Sequence, residues 1–129
     1  MGYRVVSPSE LQWETRPADP GDARRHTAQL TELAGLEHAR ANLWRYESGA
    51  KGRRHRHPVQ AETFVVVQGT LTMYLGDPPE RHEVGVGGLI HVEAGTPLQI
   101  RNEASGELLL YIHGWPPESE RAEILDDAV

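Results

Sequence analysis

His55 and His57 stand one residue apart, and Glu62 follows five positions after the second. Side chains two apart on an extended chain project from the same face, so both imidazoles can reach one point. Pro58 bends the chain behind them, and a returning antiparallel strand would carry Glu62 back toward the pair. Two neutral imidazoles and one carboxylate suit a borderline divalent cation: iron, manganese, nickel or zinc. Such a cation polarises a bound oxygen or activates dioxygen beside it. Lys51, Arg53, Arg54 and Arg56 crowd the same stretch. They read either as a solvated loop or as a basic rim drawing an anionic substrate toward the metal.

The elements that must hold these residues are short strands. Turn-forming clusters recur along the chain, among them Ser48-Gly49, Gly76-Asp77-Pro78-Pro79, Gly85 to Gly88 and Gly95-Thr96-Pro97. The runs between them are rich in Val, Leu, Thr and Tyr, the pattern of an all-β sandwich or barrel. Thr63 to Val67 is a continuous apolar run suited to a strand buried on both faces. Leu71 to Leu75 alternates, with Leu71, Met73 and Leu75 together. Gln68-Gly69-Thr70 is the turn joining those two. His38 to Tyr46 is a strand with Asn42, Trp44 and Tyr46 on one face. Leu108 to His113 is another, with Leu109, Tyr111 and His113 sharing a face. Helix signals are few: one turn from Ser7 to Leu11, and a short acidic helix or tail between Glu118 and Asp127.

The stretch from Gly49 to Gly69 resembles the first motif of the cupin superfamily at Gly49, His55, His57, Glu62 and Gly69. A second motif follows in altered form: Gly87, Glu93 where the family usually has proline, then Gly95, Leu98 and Asn102. The resemblance runs from about residue 40 to 113. It implies a small cupin, that is, a double-stranded β-helix or jelly-roll barrel of two antiparallel sheets with few short helices. It further implies that His55, His57 and Glu62 hold a divalent transition metal.

The departure lies at Leu98, where cupins supply a third histidine. Leucine cannot coordinate a cation, so the carried-over set has three ligands. Either the two-histidine, one-carboxylate face remains functional with open positions, or the metal is weakly held. His91 and His113 are the candidates to replace the missing ligand. Trp44, Tyr46, Phe64, Met73 and Tyr111 are candidate pocket-lining or core residues, and Arg45, Arg53 and Arg101 could fix a carboxylate or phosphate. Tyr111 and His113 are the candidate proton-transfer residues.

Two functional classes stay open: a metal-dependent enzyme on a small oxygen-bearing molecule (dioxygenase, isomerase or lyase), or a non-catalytic cupin that binds a small ligand. A net charge of −6 argues against nucleic acid as the main partner. The absence of cysteine excludes disulfides and thiolate metal sites. The longest apolar runs fall far short of the roughly 20 residues a membrane helix needs, and no leader is evident, so a cytoplasmic protein is expected. By length the chain is one domain: an N-terminal arm over 1–36, a barrel over 37–115 and an acidic tail over 116–129. The arm, through residues 3–6 and 26–33, is expected to build a homodimer by adding strands to a partner's sheet.

Overall fold

The computed structural model describes residues 2–118 and 120–128, which form two antiparallel sheets and a single 3-10 turn, Pro8–Glu10. Glu10 closes the turn by accepting from the Ser7 amide at 2.7 Å, while its own amide donates to the Ser7 carbonyl. Proline at the first helical position suits a helix start, and nothing after Glu10 continues it.

Six strands make the first sheet. In spatial order they are β1 (Trp13–Thr15), β2 (Arg25–Gln29), β3 (Arg40–Tyr46), β10 (Leu108–Trp115), β5 (Ala61–Gln68) and β8 (Leu89–Val92). The second sheet runs β11 (Glu123–Ile124), β4 (His55–Arg56), β9 (Leu98–Arg101), β6 (Leu71–Leu75) and β7 (Glu80–Val84). From β3 onward the chain crosses to the other sheet at every step except β6 to β7, and the core lies between the two sheets. Phe64, Val66, Leu108 and Leu110 of the first sheet meet Leu71, Met73, Leu98 and Ile100 of the second, all at most 5% exposed. Burying each large side chain contributes about 1.5–3 kcal/mol, so this interior supplies most of the driving force.

The alternation in Leu71–Leu75 is as expected, with Leu71 and Met73 fully enclosed. Its turn does more than make a hairpin, because it carries the chain from one sheet to the other. Gly69 takes φ +83 there, and an added Cβ would lie 2.3 Å from the Glu107 carbonyl oxygen, so only glycine fits. Thr63–Val67 is buried on one face only: Phe64 and Val66 point inward, while Val67 is 47% exposed.

Both ends of the chain differ from the sequence reading. Within residues 26–33, β2 (Arg25–Gln29) is already paired on both sides within its own sheet, by β1 and β3. Residues 3–6 form no strand. At the other end no acidic helix forms. Glu123 pairs with Arg56 and Ile124 with His55, so the tail adds a short strand to the second sheet. The reason is charge. Arg56 holds Glu123 with two hydrogen bonds of 2.9 and 3.0 Å, Lys51 pairs with Asp127, and Arg54 donates to the Asp126 carbonyl. Three of the four basic residues near the histidines are thus occupied by the tail.

Candidate metal centre

The pairing of His55 with Leu98 fixes where the ligand strand lies. After Arg56 the chain leaves the sheet at His57, whose carbonyl accepts from the Gly95 amide at 2.7 Å. Pro58 and Val59 make the bend, and Glu62 comes back on β5, opposite Gly114 and Val92. The two imidazole rings stand at 90° to each other with centroids 4.9 Å apart.

Each histidine has one nitrogen committed. His55 Nδ1 is 2.9 Å from the Arg53 carbonyl, which fixes the proton on Nδ1 and leaves the Nε2 lone pair free. His57 Nδ1 is 3.2 Å from Glu118 Oε1, with the same result. His57 Nε2 then lies 3.0 Å from Glu62 Oε1, yet that oxygen is buried and receives no hydrogen bond. A close approach without hydrogen-bond alignment is what two donor atoms of one cation show. Ligands about 2.1 Å from a common ion at right angles stand ~3.0 Å apart. The donor atoms of His55, His57 and Glu62 lie within 4.8 Å of one another, the one such group of three or more His, Cys, Asp or Glu side chains among the described residues. The residues present therefore fit a divalent metal, and a buried carboxylate oxygen with no donor is the observation that says so.

Electrostatics sort the two histidines. Burial dominates at His55 and lowers its pKa, keeping it neutral. At His57 burial also opposes the charge, but the nearby carboxylates of Glu62 and Glu118 outweigh it and raise the pKa. Leu98, at 1% exposure, fills the side of the site facing His55 with hydrocarbon. Access is from the other side, through a cavity of about 440 Å³ whose wall includes the triad, Asn42, Trp44, Tyr46, Phe64 and Ile112. Tyr46 hydrogen-bonds Arg25, and its burial pushes the phenol above its usual value despite that cation. It stays protonated at neutral pH and can donate.

The structure does not bring Tyr111 and His113 to this cavity. They alternate with the inward-facing Leu110, Ile112 and Gly114 of β10 and lie on the outer face of the six-stranded sheet. Tyr111 lines a separate groove with Val6, Pro8, Leu11 and Leu36. His91 is on that outer face too, 2.8 Å from Thr63, so neither histidine replaces the missing ligand. Asn102 is structural, as its position implied: its amide donates to the Tyr46 and Gly106 carbonyls. Arg45 and Arg101 stack on Trp13 and Tyr74 instead of facing the triad. Of the arginines named from sequence, Arg53 alone lines the cavity.

Glu118 is the residue that sequence reasoning missed. Its two oxygens hold His57 Nδ1 and Arg40, and Gln60 positions the turn before it by donating to the Pro116 carbonyl at 3.0 Å. A carboxylate on the far nitrogen of a ligand histidine fixes the ring and raises its basicity. Nothing in the spacing of the motif points to it, because it lies 56 residues beyond Glu62 in an acidic tail.

The family model described as a cupin domain matches residues 42–113. The chain belongs to the cupin family. Solved cupin-fold relatives resemble it over most of its length. A sugar phosphate isomerase of the cupin superfamily from Silicibacter pomeroyi aligns with a TM-score of 0.80 at 24% identity, covering 95% of this cupin and 82% of that chain. An uncharacterised protein with a double-stranded β-helix domain from Klebsiella pneumoniae aligns at 0.72 and 17%, covering 96% and 98%. A predicted oxalate decarboxylase from Thermotoga maritima aligns at 0.74 and 16%, covering 87% and 98%. At these identities the likeness establishes the fold of this cupin and no more. No curated protein matches its sequence.

Proposed function

We propose that this cupin is a metal-dependent enzyme acting on a small oxygen-bearing molecule, with His55, His57 and Glu62 as ligands of one divalent ion. The observation that carries the reading is the convergence of one donor atom each from His55, His57 and Glu62, with the buried Glu62 oxygen receiving no aligned hydrogen bond. A bound cation would polarise a substrate oxygen there. Iron, manganese, nickel and zinc all suit the donors.

Within that class we favour isomerase or lyase chemistry over oxygen activation. The wall beside the triad offers a protonated phenol at Tyr46 and an undonated amide oxygen at Asn42, groups that orient a hydroxylated substrate and hold a proton. The names of two structural neighbours, a sugar phosphate isomerase and a predicted oxalate decarboxylase, point the same way. Tyr46 takes the proton-donor role first assigned to Tyr111 and His113. The rival, a ligand-binding cupin without chemistry, draws on the apolar Leu98 slot. We take the protein to be cytoplasmic; among its described residues no helix is long and apolar enough to cross a membrane.

Elemental analysis of purified protein tests the reading. About one ion per chain is expected, and His57→Ala should remove it while leaving the far-ultraviolet circular dichroism unchanged. Metal well below one per chain and indifferent to that substitution would overturn the enzyme reading in favour of the rival. Oxygen uptake with candidate substrates should be absent; stoichiometric uptake would return the chemistry to the oxidative class.

A further inference from the structure

We propose that Arg16, Arg25 and Arg53 form a seat for the phosphate of a phosphorylated, hydroxyl-bearing substrate in the same cavity as the metal triad. The proposal deepens the reading above by naming its substrate class, and it rests on that reading only for the substrate's other end.

The three guanidiniums come from separate places: Arg16 just after β1, Arg25 at the start of β2 and Arg53 just before β4. All three line the cavity that holds His55, His57 and Glu62. In this chain of net charge −6, Arg40, Arg45, Arg54, Arg56 and Arg81 each find a carboxylate. Among the described residues no carboxylate lies within 4.0 Å of Arg16, Arg25 or Arg53. Acidic groups are nearby: Glu62 and Glu118 on the triad side, Glu14 beyond Arg16, and Asp19 and Asp22 beyond Arg25 and Arg53. None of them closes on the three cations.

Arg25 is also held in place without a counterion. Its guanidinium lies 5.4 Å from the Trp44 ring centre and 5.9 Å from that of Tyr46, and it hydrogen-bonds the Tyr46 hydroxyl. Arg16 approaches Trp44 at 5.9 Å. Aromatic faces attract a guanidinium and fix its plane while leaving its outer N–H donors open. Such a fork takes a two-point oxyanion, and phosphate is the oxyanion it matches with most charge. A phosphate monoester brings a charge near −2 at neutral pH, as phosphorylated side chains do, which suits three cations better than one carboxylate would.

The rest of the cavity fits the remainder of such a molecule. Asn42 Oδ1 is buried there with no donor, an acceptor waiting for a hydroxyl. The volume of about 440 Å³ is within the roughly 300–1,000 Å³ usual for small-molecule sites. A substrate oxygen at the triad, a hydroxyl at Asn42 and a phosphate at the arginines use every unpaired polar group on the wall.

Calorimetry on chelator-stripped protein separates this inference from the metal reading. Glycerol 3-phosphate should bind the metal-free wild type and metal-free His57→Ala equally. Arg25→Gln and Arg53→Gln should each weaken it about tenfold or more, as loss of a charge-assisted hydrogen bond does. Arg56→Gln, whose cation is already held by Glu123, should leave affinity unchanged. Arg25→Lys, which keeps the charge and loses the fork, should fall between the wild type and Arg25→Gln. No binding to the wild type, or equal loss in Arg56→Gln, would sink the proposal. Tighter binding of malonate than of glycerol 3-phosphate would also overturn it, by assigning the seat to carboxylates. A protein that binds phosphate through Arg25 and Arg53 but holds no metal would leave this inference standing and remove the proposed chemistry alone.

Discussion

At the scale of single residues, the site depends on which histidine carries a proton before metal arrives. His57 is pulled above the usual imidazole range because Glu62 and Glu118 outweigh the effect of its burial, whereas burial lowers His55. A cation must displace the His57 proton, so metal affinity should be flat at alkaline pH. It should fall as pH drops through the raised His57 value, by up to about tenfold per unit. Chelator competition between about pH 6 and 9 measures this. The sign reverses for the metal-free fold: the pair His57 with Glu62 stabilises it fully below the ordinary imidazole value and less as pH rises through the higher folded one. An affinity unchanged across that range would mean that His57 carries no proton to displace. The convergence of His55, His57 and Glu62 was legible because strand alternation and motif spacing are local properties of the sequence. The roles assigned to Tyr111 and His113 failed on parity. Tyr111 and His113 are odd-numbered on a strand whose even positions, Leu110 and Ile112, fill the interior, and that choice is made by packing against the other sheet.

At the scale of elements, the tail is the part whose energetics differ. The barrel is stitched by full ladders over a closed core, while β11 has two residues and leans on exposed ion pairs. Such exposed pairs are screened by solvent and stabilise far less than one enclosed leucine does. The tail nevertheless carries Glu118. Glu118→Ala should weaken metal binding about 10-fold to 100-fold by freeing the His57 ring, with little change in thermal stability. Competition with a chromogenic chelator, set beside a melting curve, checks both halves. A large drop in melting temperature with unaltered affinity would make Glu118 a structural residue only. The strands themselves were foreseen from β-branched runs between turns. The tail strand was not, since a run of acidic residues has no strand signal until Lys51, Arg54 and Arg56 are known to lie across from it.

At the scale of the whole molecule, one face remains uncovered. Val67 and Leu89 are 47% and 57% exposed on the outer side of the six-stranded sheet, with Val65 and Tyr111 in the same rows. A second copy is the occupant we propose, because a two-fold axis lets one sheet face cover its own image. Light scattering should give a dimer, and Leu89→Glu should shift it toward monomer by burying a charge at the contact. A wild-type monomer at micromolar concentration would refute this. Strand addition through β2 would have to displace a ladder it already makes with β1 or β3.

The order of synthesis gives the tail one more consequence. His55, His57 and Glu62 leave the ribosome well before Glu118, Ala122 and Ile124, which complete the cavity wall. On the proposed reading, a nascent barrel would take up the ion while that side of the chamber still stands open, before the last strand docks. Exchange of the proposed ion should then keep time with detachment of that strand.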